Sequence, residues 1–331
     1  MANLSSTKQR DATFDIMKGI GILLVITAHY FSWNHPILGR SISSFHMPMF
    51  FLVAGYFSKP FTTLDEVRFY VKKYARRLLP AYAFTQVIII LWAVLMAVVK
   101  KESWDPVLQQ SLSLFWADPH GPTTPWGQLT IGVIWFLVAL FFAKCALLFL
   151  SKLKVYAIPI SILLALGAVL FHKIFPYSIW CISVGLTALP FVTLGWWFRT
   201  HSIPIWFITI CIVCWVAAIL YSHLTMYELE WGFFPLDFLG ACGGSFCLYF
   251  LSRFISAKIH PLNSILALLG VWSLAIMCFH NLEMSCHLGN HLMALSPVAL
   301  PLWCKFVFRY FVTIALAAIA YYTPAIRRIF S

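Results

Sequence analysis

The 331-residue chain is 61% hydrophobic and only 10% charged, and its mean hydropathy is +0.85. Soluble domains carry about a quarter charged residues, so these values exclude a soluble globular protein and indicate an integral membrane protein. The net charge of +12 sits mostly in short loops between apolar segments, which assigns it to membrane topology and excludes nucleic-acid binding.

Ten apolar segments follow one another, each bounded by charges, Pro or Gly, at about 14–33, 44–58, 78–99, 129–150, 155–171, 178–198, 203–222, 233–251, 262–282 and 298–322. They predict an all-α polytopic membrane protein with about ten transmembrane helices in a single domain over 1–331. A short tail, about 1–12, precedes the first segment. A basic amphipathic linker, about 59–78, leads into the third, and a polar, Pro/Gly-punctuated loop fills about 100–128. The first segment carries Lys18 and His29 and lacks a small-x-small cleavage site, so it is expected to stay in the protein rather than act as a signal peptide.

Of the 23 Lys and Arg residues, Lys18, Lys144, Lys305 and Arg309 fall inside segments. Fifteen of the others lie on the N-terminal side, and only Arg40, Lys100, Lys101 and Lys173 lie on the opposite one. That bias predicts that both termini are cytoplasmic. The nine cysteines sit mostly inside segments, with Cys286 the best loop candidate, which indicates core packing rather than a disulfide framework.

The first segment, Asp15-Ile-Met-Lys-Gly-Ile-Gly-Ile-Leu-Leu-Val-Ile-Thr-Ala-His29, keeps three ionisable groups in a stretch of lipid-crossing length. Such groups are expensive inside a bilayer and mark functional sites. A step of eleven residues closes three helical turns to within about 20°, so Lys18 and His29 share one face, roughly 16 Å apart along the axis. That spacing rules out an ion pair and predicts the two ends of one polar cavity. Lys18 reads either as a snorkelling anchor or as a cation for an anionic ligand arriving from the cytoplasm. His29 reads either as an interfacial histidine or as a base able to take a proton from a hydroxyl. The linker stretch Val71-Lys-Lys-Tyr-Ala-Arg-Arg-Leu-Leu-Pro80 suits anionic lipid headgroups or the phosphates of a cofactor such as coenzyme A.

Lys18-x10-His29 resembles the Arg/Lys-x10-His signature of the acyltransferase family 3 membrane proteins. Phe45-His-Met-Pro-Met-Phe-Phe with Gly55, the basic lead-in with Arg76, Arg77 and Pro80, and Trp135-Phe-Leu are similar to further family motifs. So are Leu189-Pro-Phe-Val-Thr-Leu-Gly195 and Ser273-Leu-Ala-Ile-Met-Cys-Phe-His280, and the set runs in order along essentially the whole chain. The resemblance implies transfer of an acyl group, usually acetyl, from cytoplasmic acyl-coenzyme A to a hydroxyl of a cell-surface polysaccharide or its lipid-linked precursor. It also implies the bacterial cytoplasmic membrane and acetyl-coenzyme A as co-substrate, with no metal expected; the SGNH-type domain that some relatives carry is not expected here.

The expected catalytic residues are His29, Lys18 and Asp15, with Asp15 holding Lys18. Lys73, Arg76, Arg77 and Trp135 are expected at the cofactor, and His46 and His280 as substrate-binding or secondary catalytic groups. His29 would act as general base or, alternatively, carry the acyl group covalently. The expected partners are acyl-coenzyme A, a glycan or lipid-linked glycan, and membrane lipids. A proton-coupled or glycan transporter using the same Lys/His face is the competing class. Asp105, Asp118, Glu230 and Asp237 are further candidates to face a sugar from outside.

Overall fold

Within lipid, each backbone N–H and C=O must find its partner inside its own segment, so long apolar stretches become helices. The computed structural model describes residues 12–31, 35–61, 63–101, 103–121, 124–293 and 301–330, and it is almost wholly helical. Lys8, Arg10, Trp33 and the start of the tenth predicted segment lie outside the described residues.

The chain runs through α1 (Thr13–Phe31), α2 (Pro36–Ser43), α3 (His46–Tyr56), α4 (Leu64–Lys100), α5 (Asp105–Trp116), α6 (Trp135–Leu150), α7 (Ala157–Ile174) and α8 (Ile182–Phe198). It continues with α9 (Ile205–Tyr221), the strands β1 (Leu224–Thr225) and β2 (Glu230–Trp231), α10 (Phe234–Lys258), α11 (His260–Val271) and α12 (Ser273–Cys286). It ends in α13 (Leu288–Met293), α14 (Leu302–Tyr322) and α15 (Pro324–Phe330). The two strands pair antiparallel, Leu224 opposite Trp231 and Thr225 opposite Glu230.

Among the described residues, seven helical stretches are long and apolar enough to cross a membrane, or eight if the bent pair α11–α12 is one span. All ten predicted segments fall on helices. The counts differ because α6 and α7 share the apolar stretch Gly132–Ile174 and because α9 has only 17 residues. Between α6 and α7, a 3-10 segment turns at Lys154, where φ is 50° and ψ −113°.

Three elements depart from the expected layout. The basic linker and the third span form one 37-residue helix, α4, about 55 Å long against a hydrocarbon core of about 30 Å. A capping box starts it: Thr63 Oγ1 accepts from Glu66 N, and Glu66 Oε2 accepts from Thr63 N, both at 3.3 Å. The long polar loop contains α5, opened by Asp105 and Pro106, which suit the first turn of a helix. Tyr82 and Gln86 of α4 hold α5: the Tyr82 hydroxyl donates to Ser113 O at 2.9 Å, and Gln110 Nε2 donates to Gln86 Oε1 at 2.5 Å. The ninth segment breaks by 68° between α11 and α12, so α12 begins inside the bundle.

Close backbone contacts at glycines set the helix positions. A Cβ on Gly270 of α11 would strike the Asp15 carbonyl of α1, and one on Gly19 would strike the Leu266 carbonyl. Gly55 of α3 and Gly195 of α8 oppose the Val192 and Leu52 carbonyls in the same way. Small residues of this kind let membrane helices approach to backbone contact. The core between α1, α3, α6 and α8 is filled by Ile22, Ile26, Phe51, Ile134, Leu137, Leu189 and Phe191, all fully buried. Leu91, Val98, Ile210, Val213 and Val216 point outward, as lipid-facing side chains do.

Candidate active site

Two cavities enter the bundle from opposite ends of α1. The first, about 430 Å³, is lined by Lys18, Lys59, Lys73, Arg77 and Lys144 with a single carboxylate, Asp15. Asp15 Oδ1 pairs with Lys18 Nζ at 2.8 Å across one helical turn. Lys144, in the apolar helix α6, donates to Ala54 O at 3.3 Å and lies over the Tyr74 ring at 4.4 Å. The break before α12 brings its first residues, Ser273 and Leu274, to the same cavity, so the positive end of that helix adds to the cationic field. Five cations against one carboxylate give this cavity a strongly positive field.

Of the residues expected at the cofactor, Lys73 and Arg77 line this cavity, whereas Arg76 does not. Lys59 and Lys144 were not assigned from sequence. A lone Lys in the apolar run of α6 was the available signal for the second.

The second cavity, about 670 Å³, is lined by His29, His46, Arg40, His223, Trp135 and Tyr227, together with Thr130 and Thr225. His46 is fully enclosed apart from this cavity, and its Nδ1 lies 2.8 Å from Ile42 O. A carbonyl only accepts, so Nδ1 carries the hydrogen and Nε2 is left as the basic nitrogen. Pro48 follows in the first turn of α3, where a missing N–H does no harm. Trp135, expected at the cofactor, lines this cavity instead and lies 6.3 Å from the Tyr227 ring. Tyr227 donates to Glu228 Oε1 at 2.7 Å; desolvation and that bond push its phenol pKa up, so it stays neutral. The hairpin β1–β2 supplies His223 through Tyr227, a contribution not read from sequence.

Lys18 and His29 thus open onto two cavities rather than onto the ends of one. Among the described residues, Met277 alone borders both. His280 lies behind His29 with ring centroids 5.4 Å apart and does not reach the cavity. It is fully buried, and neither ring nitrogen has a hydrogen-bond partner among the described residues. Its neighbour Asn281 accepts from Val133 N at 2.8 Å and meets Gly132, whose φ is +65°. That contact places the turn into α6 beside the cavity.

Next to His29, Tyr30 hydrogen-bonds Glu283 Oε2. Arg309 Nε pairs with Glu283 Oε1 at 2.6 Å and stacks its guanidinium 4.4 Å from the Tyr30 ring. This buried cluster ties α1, α12 and α14 together, and sequence reasoning missed it. The other acidic candidates divide. Asp118 is buried, accepting from Ser178 N at 2.6 Å and from His120 N at 2.9 Å. Asp237 is buried too, accepting from Phe233 N at 3.1 Å. Asp118 Oδ1 also lies 2.7 Å from His120 Nδ1, and neither carboxylate lines the two cavities described above. Asp105, the first residue of α5, accepts from Ser103 Oγ at 2.7 Å while its backbone N donates to that oxygen at 3.1 Å, and Glu230 lies 3.8 Å from His223.

A family model described as an acyltransferase domain, that of acyltransferase family 3, matches residues 11–322. The chain belongs to acyltransferase family 3. It is a multi-pass membrane protein of that family, and the match takes in both cavities and every residue placed in them above. No curated protein and no solved structure matches it.

Proposed function

We propose that this acyltransferase moves an acetyl group from cytoplasmic acetyl-coenzyme A to a hydroxyl of a cell-surface polysaccharide or its lipid-linked precursor, in a bacterial cytoplasmic membrane. The observation that carries this is the pair of opposed cavities, one cationic and one lined by histidines, meeting at Met277. The cationic cavity suits the phosphates of coenzyme A, with Lys73 and Arg77 as the main contacts and Lys18, held by Asp15, deeper in. It lies at the end of α1 that the charge bias assigns to the cytoplasm.

The second cavity suits a glycan: Trp135 and Tyr227 offer ring faces, and Thr130, Thr225 and Arg40 offer polar contacts. His29 accepts the hydroxyl proton as the oxygen attacks the thioester carbonyl. The C–S bond breaks, an O–C ester bond forms, and the thiolate takes up a proton as free coenzyme A. His46, with its tautomer fixed, presents Nε2 to the same space and orients the hydroxyl. Membership of an acyltransferase family favours this over a transporter using the same opposed cavities.

The test is acetyl transfer from labelled acetyl-coenzyme A to envelope glycan in membranes containing the chain. His29→Ala is expected to lose about 10²–10⁴-fold in rate while still binding coenzyme A. A His29→Ala protein that inserts normally and acetylates glycan at the wild-type rate sinks the assignment.

A further inference from the structure

At Met277, which lines both cavities, a single side chain stands between them. On α3, Met47 borders the histidine cavity and Phe50, one turn on, borders the cationic one. On α6, Trp135 and Phe136 divide in the same way. Only Met277 of α12, 3% exposed, lines both among the described residues.

The members of this layer differ in how readily they can move. Phe136 lies against Phe50 and Phe51, with ring centroids 5.7 and 4.8 Å apart, and Leu137 beside it is fully buried. Rings interlocked at interior packing density cannot shift singly without opening a void. Met277 is unbranched, with three rotatable bonds, and adapts its shape cheaply. When it swings aside it vacates room for about three heavy atoms beyond Cβ, the size of an acetyl group. Each further methylene must displace a second side chain of the layer, Met47 or one of the aromatic rings, or enlarge the backbone gap.

We infer that Met277 is the gate between donor and acceptor cavities, and that it restricts the transferred group to short acyls of acetyl or propionyl size. The inference rests on the acyl-transfer reading above and adds its selectivity. The step itself is unchanged: the thioester carbonyl enters past Met277, its C–S bond breaks as the acceptor oxygen bonds to carbon, and coenzyme A leaves as the thiol on the cationic side.

The experiment gives inverted membrane vesicles containing the full chain acetyl-, propionyl-, butyryl- and hexanoyl-coenzyme A, each labelled in the acyl group. Transfer to the membrane's own glycan is compared with vesicles lacking the chain, and binding of unacylated coenzyme A to the purified protein is measured by calorimetry as the folding control. Wild type is expected to favour acetyl over hexanoyl by about 100-fold, and Met277→Ala to reduce that ratio at least about tenfold. Met277→Phe is expected to lose acetyl transfer while keeping coenzyme A binding. An unaltered chain-length profile in Met277→Ala, or wild-type acetyl transfer by Met277→Phe, overturns the gate but leaves acyl transfer standing. A wild-type protein that transfers none of the four acyls overturns both.

Discussion

His29 and Lys18 could be picked out from an eleven-residue step on one helix, because a helix conserves angular position whatever it packs against. The resemblance named His46 and His280 as further groups, but how they are arranged about His29 was not legible. His46 shares its cavity, whereas His280 lies behind it and does not line that cavity. Glu283 was hidden for a similar reason. It reads as part of an outer polar run, yet it is fully buried and held by Tyr30 and Arg309. Removing one partner of a buried ion pair strands the other charge. Arg309→Met is therefore expected to lower stability by about 3–5 kcal/mol, read as thermal unfolding in nanodiscs, with His29-dependent transfer falling too because α1 loses its tie to α14. Replacing Tyr30 by Phe removes only one hydrogen bond and should cost about 1–2 kcal/mol in the same assay.

The glycines that resemble family motifs acquire a physical meaning once the helices are assembled. Gly55 and Gly195 sit where α3 and α8 touch backbone to backbone, and Gly19 and Gly270 do the same for α1 and α11. A single methyl at Gly270 meets the Asp15 carbonyl, one residue type in a rigid seam that also carries the Asp15–Lys18 pair. Gly270→Ala is expected to destabilise by about 1–3 kcal/mol and to weaken acyl-coenzyme A binding, both measurable on purified protein. Helix existence was legible throughout from apolar length. Helix boundaries were less so: α4 absorbs the basic linker because Thr63 and Glu66 cap it so that it starts at Leu64, 14 residues before the apolar run begins at Leu78. The 68° break before α12 has no Pro to announce it, so a continuous ninth span was the natural expectation.

Taken as a whole, the molecule presents opposite chemistry to its two sides, cations on one and histidines with aromatics on the other. Phosphate contacts of this kind weaken as charges are removed, so the double variant Lys73→Ala/Arg77→Ala is expected to raise the KM for acetyl-coenzyme A about tenfold or more. Its kcat should stay near wild type, since these groups line the other cavity from His29 and His46. Orientation can be tested separately. With native thiols blocked, a membrane-impermeant maleimide added to intact cells should label Lys101→Cys and spare Lys152→Cys, both exposed positions on opposite sides of the predicted topology. The reverse pattern inverts the donor and acceptor sides.

The sequence by itself determined the membrane class, the helical segments and the Lys18–His29 face, because each depends on apolar length or on helix periodicity, which are local properties. Short motifs in order also carried the family resemblance, and the family match over 11–322 agrees with it. Only the tertiary structure decided that the polar interior is two cavities rather than one, that Trp135 belongs with the histidines, and that Arg76 stands outside. It also decided that Met277 lines both cavities. Those outcomes depend on which side chains from α3, α6 and α12 meet at one depth. That is set by backbone contacts at glycines and by the bend before α12, neither of which leaves a periodic trace in the sequence.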